Sequence, residues 1–295
     1  LCDMRNDKPA ADRLITLDIG GTSADIGIVI DGRLTEADAR SASIDGFPVM
    51  LPMIDIHTIG AGGGSIAYID RGGAFRVGPE SAGADPGPAA YGKGGDRPTV
   101  TDANLVLGRL VPQNFLGGDM TLDLDAAHRV IERLAGELGR TPEETAEGML
   151  TVLNANMANA IRSRTVQKGI DPREFTLSGF GGAGPLHAAE VAMMLGVKRV
   201  LIPPHPGITS ALGLLTADLE YHALRTAFQV KGAVDHTRLT ALFDDMEAEL
   251  NGIFERDGVP AEKRQMLREG DLRYVGQGYE LKIDFPDGYL DDIVL

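Results

Sequence analysis

One short stretch near the N-terminus holds residues that could handle a phosphate. Gly20, Gly21, Thr22 and Ser23 form a turn, and Asp18 and Asp25 flank it. Leu14, Ile15 and Leu17 lead in, and Ile26, Ile28, Val29 and Ile30 lead out. The pattern is strand, glycine turn, strand, and Asp31-Gly32 closes it. Glycine lets backbone N–H groups come close to phosphate oxygens, because no Cβ stands in the way. A carboxylate at the strand end does not bind phosphate itself, but it suits Mg²⁺ or a water beside the phosphate. This is half of an ATP-type site, and it needs a second half.

A second loop, Gly179 to Gly184, fits G-x-G-x-x-G between a strand and a helix, with Gly181, Gly182, Ala183 and Gly184 as its contact residues. Three readings stay open for it: a dinucleotide fold, a nucleotide site of another kind, or tight packing without a ligand. Against the first, the next strand ends in Pro203-Pro204-His205, where a ribose-binding acid belongs. A third loop carries Gly62, Gly63 and Gly64 and is preceded by His57. A neutral imidazole there could serve as a base near a phosphoryl or carbonyl centre, although a lone His is more often structural. His187 on the first turn of a helix reads as structural, and His205 as a loop residue. Arg162 and Arg164 near a helix end read as a dipole-matched face or an anion clamp. No His pair has metal spacing, and no G-x-S-x-G elbow surrounds Ser65 or Ser178, which argues against a zinc site and a serine hydrolase.

The elements that must position these loops follow from pattern. A hairpin is expected over 13–31, and strand and turn over 47–58. Further strands are expected at 66–69, 75–77, 173–178, 199–202 and 271–285, with loop over 78–98. Thr101 and Asp125 are candidate caps for two helices. Thr141-Pro142-Glu143-Glu144 is a capping box opening a long helix with Met149, Leu153, Met157 and Ile161 on one stripe. Helices are also expected from Pro185, over 209–216 and over 237–257.

The 295 residues carry 43 acidic against 28 basic side chains, a net charge of −15. That balance gives no footprint for nucleic acid and no basic patch for an anionic membrane. A single Cys excludes an internal disulfide framework and a thiolate metal site, and fits a cytoplasmic setting. No apolar run reaches the ~20 residues of a membrane span. The chain starts without Met and ends on Ile293-Val294-Leu295, so both ends read as cuts in a longer polypeptide.

Together the motifs resemble the hydantoinase/oxoprolinase family in its hydantoinase A part. The matching stretches are 17–26, 57–66, 77–88, 98–103, 180–187 and 272–278, in one order along most of the chain. The resemblance implies an α/β fold, a ribonuclease H-like lobe of the actin, Hsp70 and sugar-kinase ATPases. That lobe would span 1–230 with a helical insertion at about 101–170, followed by the start of a C-terminal α+β region over 231–295. It implies ATP and Mg²⁺, with Asp18 near the metal or its water and Gly20 to Ser23 cradling phosphates. Gly179–Gly184 would lie on the adenosine side, and His57 with the triple-glycine loop would face the reacting centre. The implied activity is ATP-dependent opening of a hydantoin, 5-oxoproline or related lactam through a phosphorylated intermediate. The alternatives are a ketone carboxylase subunit or a non-catalytic nucleotide-binding module. Implied partners are an N-terminal hydantoinase A domain bearing the other phosphate motif, a hydantoinase B-like subunit or domain, a small-molecule substrate and, as an option, a second copy of the chain.

Overall fold

The N-terminal alternation builds the hairpin directly. In this computed structural model, which describes residues 12–35, 43–44, 47–48, 53–230, 232–278 and 280–285, β1 (Arg13–Ile19) and β2 (Ala24–Ile30) pair antiparallel. Side chains alternate between faces along a strand. Ile15, Leu17 and Ile19 therefore join Ala24, Ile26 and Ile28 on one buried face, while Thr16, Asp18 and Asp25 share the other. Asp18 lies directly opposite Asp25 in the register.

The short strands β3 (Arg33–Leu34) and β6 (His57–Ile59) both pair with β2. Two-residue strands β4 (Ser43–Ile44) and β5 (Phe47–Pro48) pair with each other. The expected strand and turn over 47–58 is seen at β5 and β6, and residues 49–52 lie outside the described residues. β7 (Ser65–Ile69) and β8 (Phe75–Ser81) form an antiparallel ribbon. β8 thus takes in the first part of the segment expected to be loop. The rest, to residue 98, has only a 3-10 turn at Ala89–Tyr91.

Three helices follow: α1 (Val100–Val106), α2 (Leu124–Leu138) and α3 (Pro142–Arg164). The cap of α1 is Thr99 rather than Thr101, because Thr99 and Asp102 close a reciprocal capping box two residues earlier. Asp123, not Asp125, caps α2 by accepting from Ala126 N at 2.8 Å. Thr141 and Glu144 cap α3 as its sequence predicts. Asp171 and Pro172 hold residues 172–174 in a 3-10 turn, so β9 (Thr176–Phe180) starts later than expected. Then come α4 (Gly184–Leu195), β10 (Arg199–Leu201) and α5 (Thr209–Thr216).

The main sheet runs β10-β9-β1-β2-β3, with β6 also on β2. β9 is parallel to both β1 and β10, so the sheet is mixed and β9-α4-β10 is a βαβ unit. Met149, Leu153, Met157 and Ile161 of α3 and Ala188, Val191 and Leu195 of α4 pack with Ile15, Leu17 and Leu177 into an aliphatic core. This is an α/β architecture.

The chain divides into two compact units, Leu1–Ala217 and Asp218–Leu295. The second unit has α6 (His236–Arg256), capped by Asp235, and the antiparallel pair β11 (Glu269–Leu272) and β12 (Leu281–Asp284). Within it Tyr221 packs edge-on to Phe254, and Arg268 pairs with Glu247 at 2.6 Å. Among the described residues no helix is long and apolar enough to cross a membrane.

Candidate functional site

The glycine loops, far apart in sequence, meet at one end of the β1–β2 hairpin. In the turn, Gly20 N donates to Ser23 O at 3.0 Å. The N–H groups of Gly21, Thr22 and Ser23 donate to no acceptor among the described residues. Gly21 and Thr22 are exposed, and a Cβ on Gly21 would meet nothing within 4 Å. The turn therefore presents a row of open N–H groups with room beside it.

The loop after β9 joins this turn from the other side. Ala183 N donates to Ile19 O at 2.9 Å, and Gly181 N to Pro206 O at 2.9 Å. Gly181 has φ +82, and a Cβ there would collide with Asp18 Oδ1 and lie 2.5 Å from Ile19 O. Only glycine meets both demands. Gly182 is exposed with open space around it, and its N–H has no acceptor among the described residues. Gly184 is buried at the start of α4.

The triple-glycine loop has a different place. Gly62, Gly63 and Gly64 are all buried. Gly63 N donates to Gly20 O at 3.0 Å and Gly64 N to Gly21 O at 2.6 Å. Gly62 N donates to Ser65 Oγ at 2.9 Å. A Cβ on Gly62 would lie 2.7 Å from the Gly21 carbonyl carbon and Thr22 N. The three glycines expected at a ligand thus have their N–H groups taken by protein acceptors, and they back the turn at 20–23. Thr101 N and Oγ1 both donate to Gly63 O, at 2.7 and 2.9 Å, tying the loop to α1.

His57 is not brought to this group. Thr58 is opposite Asp25 in the register and donates to its Oδ1. His57, one residue away, points to the opposite face of the sheet, where its Nδ1 is 3.3 Å from Arg164 Nη2. Burial, then the Arg164 charge, lower its pKa, against the pull of Asp55. Asp55 pairs with Lys168 at 2.6 Å and with Arg164 at 3.7 Å. Strand alternation thus places His57 on the face opposite Asp18 and Asp25. Arg162 donates to Met194 O at 2.6 Å, so both arginines are held by protein groups.

His187 is buried between α1, α3 and α4, with Nδ1 2.8 Å from Asn154 Oδ1. Burial pushes its pKa down to about 4, so the ring is neutral and Nδ1–H donates to Asn154. Asn154 also donates to Glu190, which Arg109 holds at 2.7 Å. This network fixes α4 directly behind the loop at 181–183.

One residue at the site escaped the sequence reading. Ser210, in α5, donates from Oγ to Asp18 Oδ2 at 2.6 Å across 192 residues. A serine inside a short apolar helix carries no local signal of such a contact.

The site thus combines open backbone N–H groups on exposed loops with the Asp18 carboxylate near the end of β1. Open backbone N–H groups of this kind are the type of donor that suits an anion. The chain belongs to the hydantoinase/oxoprolinase family, whose model matches residues 3–223. It is 38% identical over 293 residues to the caprolactamase subunit alpha of Pseudomonas jessenii, covering 95% of this chain and 40% of that subunit. It is 43% identical over 217 residues to the 5-oxoprolinase of Saccharomyces cerevisiae, covering 70% of this chain and 17% of that protein. The solved nucleotide-free structure of acetone carboxylase, from work on ATP-dependent acetone carboxylation, matches with a TM-score of 0.77 at 28% identity. It covers 94% of this chain and 40% of that one. The chain therefore spans well under half the length of these relatives.

Proposed function

We propose that this chain supplies one side of the ATP site of an ATP-dependent enzyme that opens a cyclic amide: a hydantoin, 5-oxoproline or a related lactam. The observation that carries this reading is the set of open N–H groups at Gly21, Thr22, Ser23 and Gly182, on the turn that follows Asp18 and the loop that contacts it. The names of the caprolactamase and 5-oxoprolinase relatives support the substrate class.

The lobe is of the actin, Hsp70 and sugar-kinase kind, and the facing lobe, with the other phosphate motif, lies in the hydantoinase A N-terminal domain. The turn at 20–23 takes phosphate oxygens, with Gly182 and Ala183 toward the adenosine. Asp18 and Asp25, with the Thr22 and Ser23 hydroxyls, are hard oxygen donors of the type Mg²⁺ prefers. No cluster of three or more metal-ligating side chains occurs among the described residues. That fits Mg²⁺ held by one or two carboxylates, waters and phosphates, with Asp18 acting through water. Mg²⁺ would neutralise charge developing on the phosphates. The chain's own part is to position the phosphates and stabilise that charge with fixed N–H dipoles. Phosphorylation of the lactam carbonyl oxygen makes its carbon a better electrophile for water. A hydantoinase B-like partner completes the hydrolysis.

A second reading, a ketone carboxylase subunit, is favoured by the likeness to acetone carboxylase. The same phosphorylation logic serves it, with an enol oxygen as acceptor. The test is ATP turnover by the full-length protein with its partner, assayed with hydantoins, lactams and ketones. Substrate-stimulated turnover that Asp18→Asn lowers about 100-fold or more supports the reading. No turnover with any of these classes would contradict it.

A further inference from the structure

We propose that Ser210 is a positioning residue of the phosphate site, fixing the direction of the Asp18 carboxylate. The inference rests on the reading of Asp18 as the carboxylate that serves Mg²⁺ or its water.

Asp18 is the penultimate residue of β1, two residues before the turn, and a carboxylate in that place can swing about two side-chain torsions. Two contacts remove that freedom. Its Oδ1 lies against Gly181, where any side chain would strike it. Its Oδ2 accepts from Ser210 Oγ at 2.6 Å, the length of a charge-assisted O–H···O⁻ bond. The two contacts come from separate segments, the loop after β9 and the segment after β10.

The placement of Ser210 does not depend on Asp18. Pro206 O accepts from Gly181 N at 2.9 Å, which ties the segment after β10 to the second glycine loop. Thr209 is buried, and its Oγ1 donates to His205 O at 2.9 Å, fixing the entry into α5. Ser210 is exposed, so its hydroxyl is not needed to satisfy a buried group. Its hydrogen bond serves orientation, which separates it from Thr209 one residue earlier. A hydroxyl that orients a metal-directed carboxylate typically alters metal affinity or activity about 10–100-fold when removed.

The experiment uses the full-length protein with its partner and a double-mutant cycle of Ser210→Ala and Asp18→Ala, together with Ser210→Thr. Two readouts are taken: steady-state ATP turnover, and Mn²⁺ binding by electron paramagnetic resonance in the presence of a non-hydrolysable ATP analogue. The expected result for Ser210→Ala is about a tenfold loss of kcat and about a tenfold weaker Mn²⁺ binding, with KM for ATP changed less than about twofold. Ser210→Thr keeps the hydroxyl and restores both to within about twofold. In the Asp18→Ala background, Ser210→Ala adds nothing further, because the group it orients is gone. Unchanged turnover and Mn²⁺ binding in Ser210→Ala would overturn the proposal. So would an equal loss with and without the Asp18 carboxylate. If Asp18→Ala itself changes neither readout, the site reading falls, and the role of Ser210 falls with it.

Discussion

The turn at 20–23 and the loop at 60–65 are both glycine-rich, both follow strands, and sit one upon the other. Their roles differ through hydrogen-bond accounting. The turn is exposed, and Gly21, Thr22 and Ser23 keep their N–H groups open. The triple-glycine loop is buried, and its N–H groups are bonded to Gly20 O, Gly21 O and Ser65 Oγ. Glycine leaves the N–H groups accessible in the first and permits backbone-on-backbone packing in the second. Only a glycine loop whose donors remain free can offer its backbone N–H groups to a ligand.

Substitutions that add one methyl group can break or sharpen that contrast. The largest effect is expected at Gly181. Alanine there combines a strained φ of +82 with contacts to Asp18 and the Ile19 backbone. The expected loss of stability is about 4 kcal/mol, read from denaturant unfolding of the full-length protein.

Next comes the helix behind that loop. His187 is neutral in the fold, with its pKa pushed to about 4 from an ordinary value of 6.5. Below pH 6.5 the unfolded chain takes up a proton that the folded chain refuses. The stabilisation is therefore full above pH 6.5 and lost as pH falls toward 4, by roughly 3 kcal/mol at ~1.4 kcal/mol per unit. His187→Gln should remove that slope from stability measured across pH 4–7. An unchanged slope would reject the buried neutral ring.

Gly62→Ala should cost about 2 kcal/mol, because its Cβ would press on the Gly21–Thr22 peptide. Gly21→Ala should cost the least stability, under about 0.5 kcal/mol, since nothing lies within 4 Å of its Cβ. Yet it should weaken ATP binding by full-length protein about tenfold in calorimetry, because the methyl group fills the space beside the open N–H row. Equal stability losses at Gly21 and Gly62 would erase the contrast.

What the sequence made legible was local. Alternation over 13–30 and Asp31-Gly32 specify the β1–β2 hairpin, and Thr141 with Glu144 specifies the start of α3. The caps lie two residues earlier, at Thr99 and Asp123, and were blurred because several Thr and Asp compete at each helix start. The meeting of the turn with the loop at 181–183 agreed with the pairing of two glycine loops, since each follows one of the adjacent strands β1 and β9. The rest needed long-range register. Which face His57 takes depends on β6 pairing with β2 by one residue, and a one-residue slip would reverse it. That Gly62–Gly64 lie beneath the turn depends on bonds across some forty residues, and the Ser210–Asp18 bond spans 192.

The most direct test is a structure of the full-length protein with a non-hydrolysable ATP analogue and Mg²⁺. The account predicts phosphate oxygens within hydrogen-bonding distance of the Gly21, Thr22 or Ser23 N–H groups, Asp18 facing the metal or its water, and no phosphate contact from Gly62–Gly64. Phosphates seated on the triple-glycine loop, or a nucleotide bound away from the 20–23 turn, would contradict it.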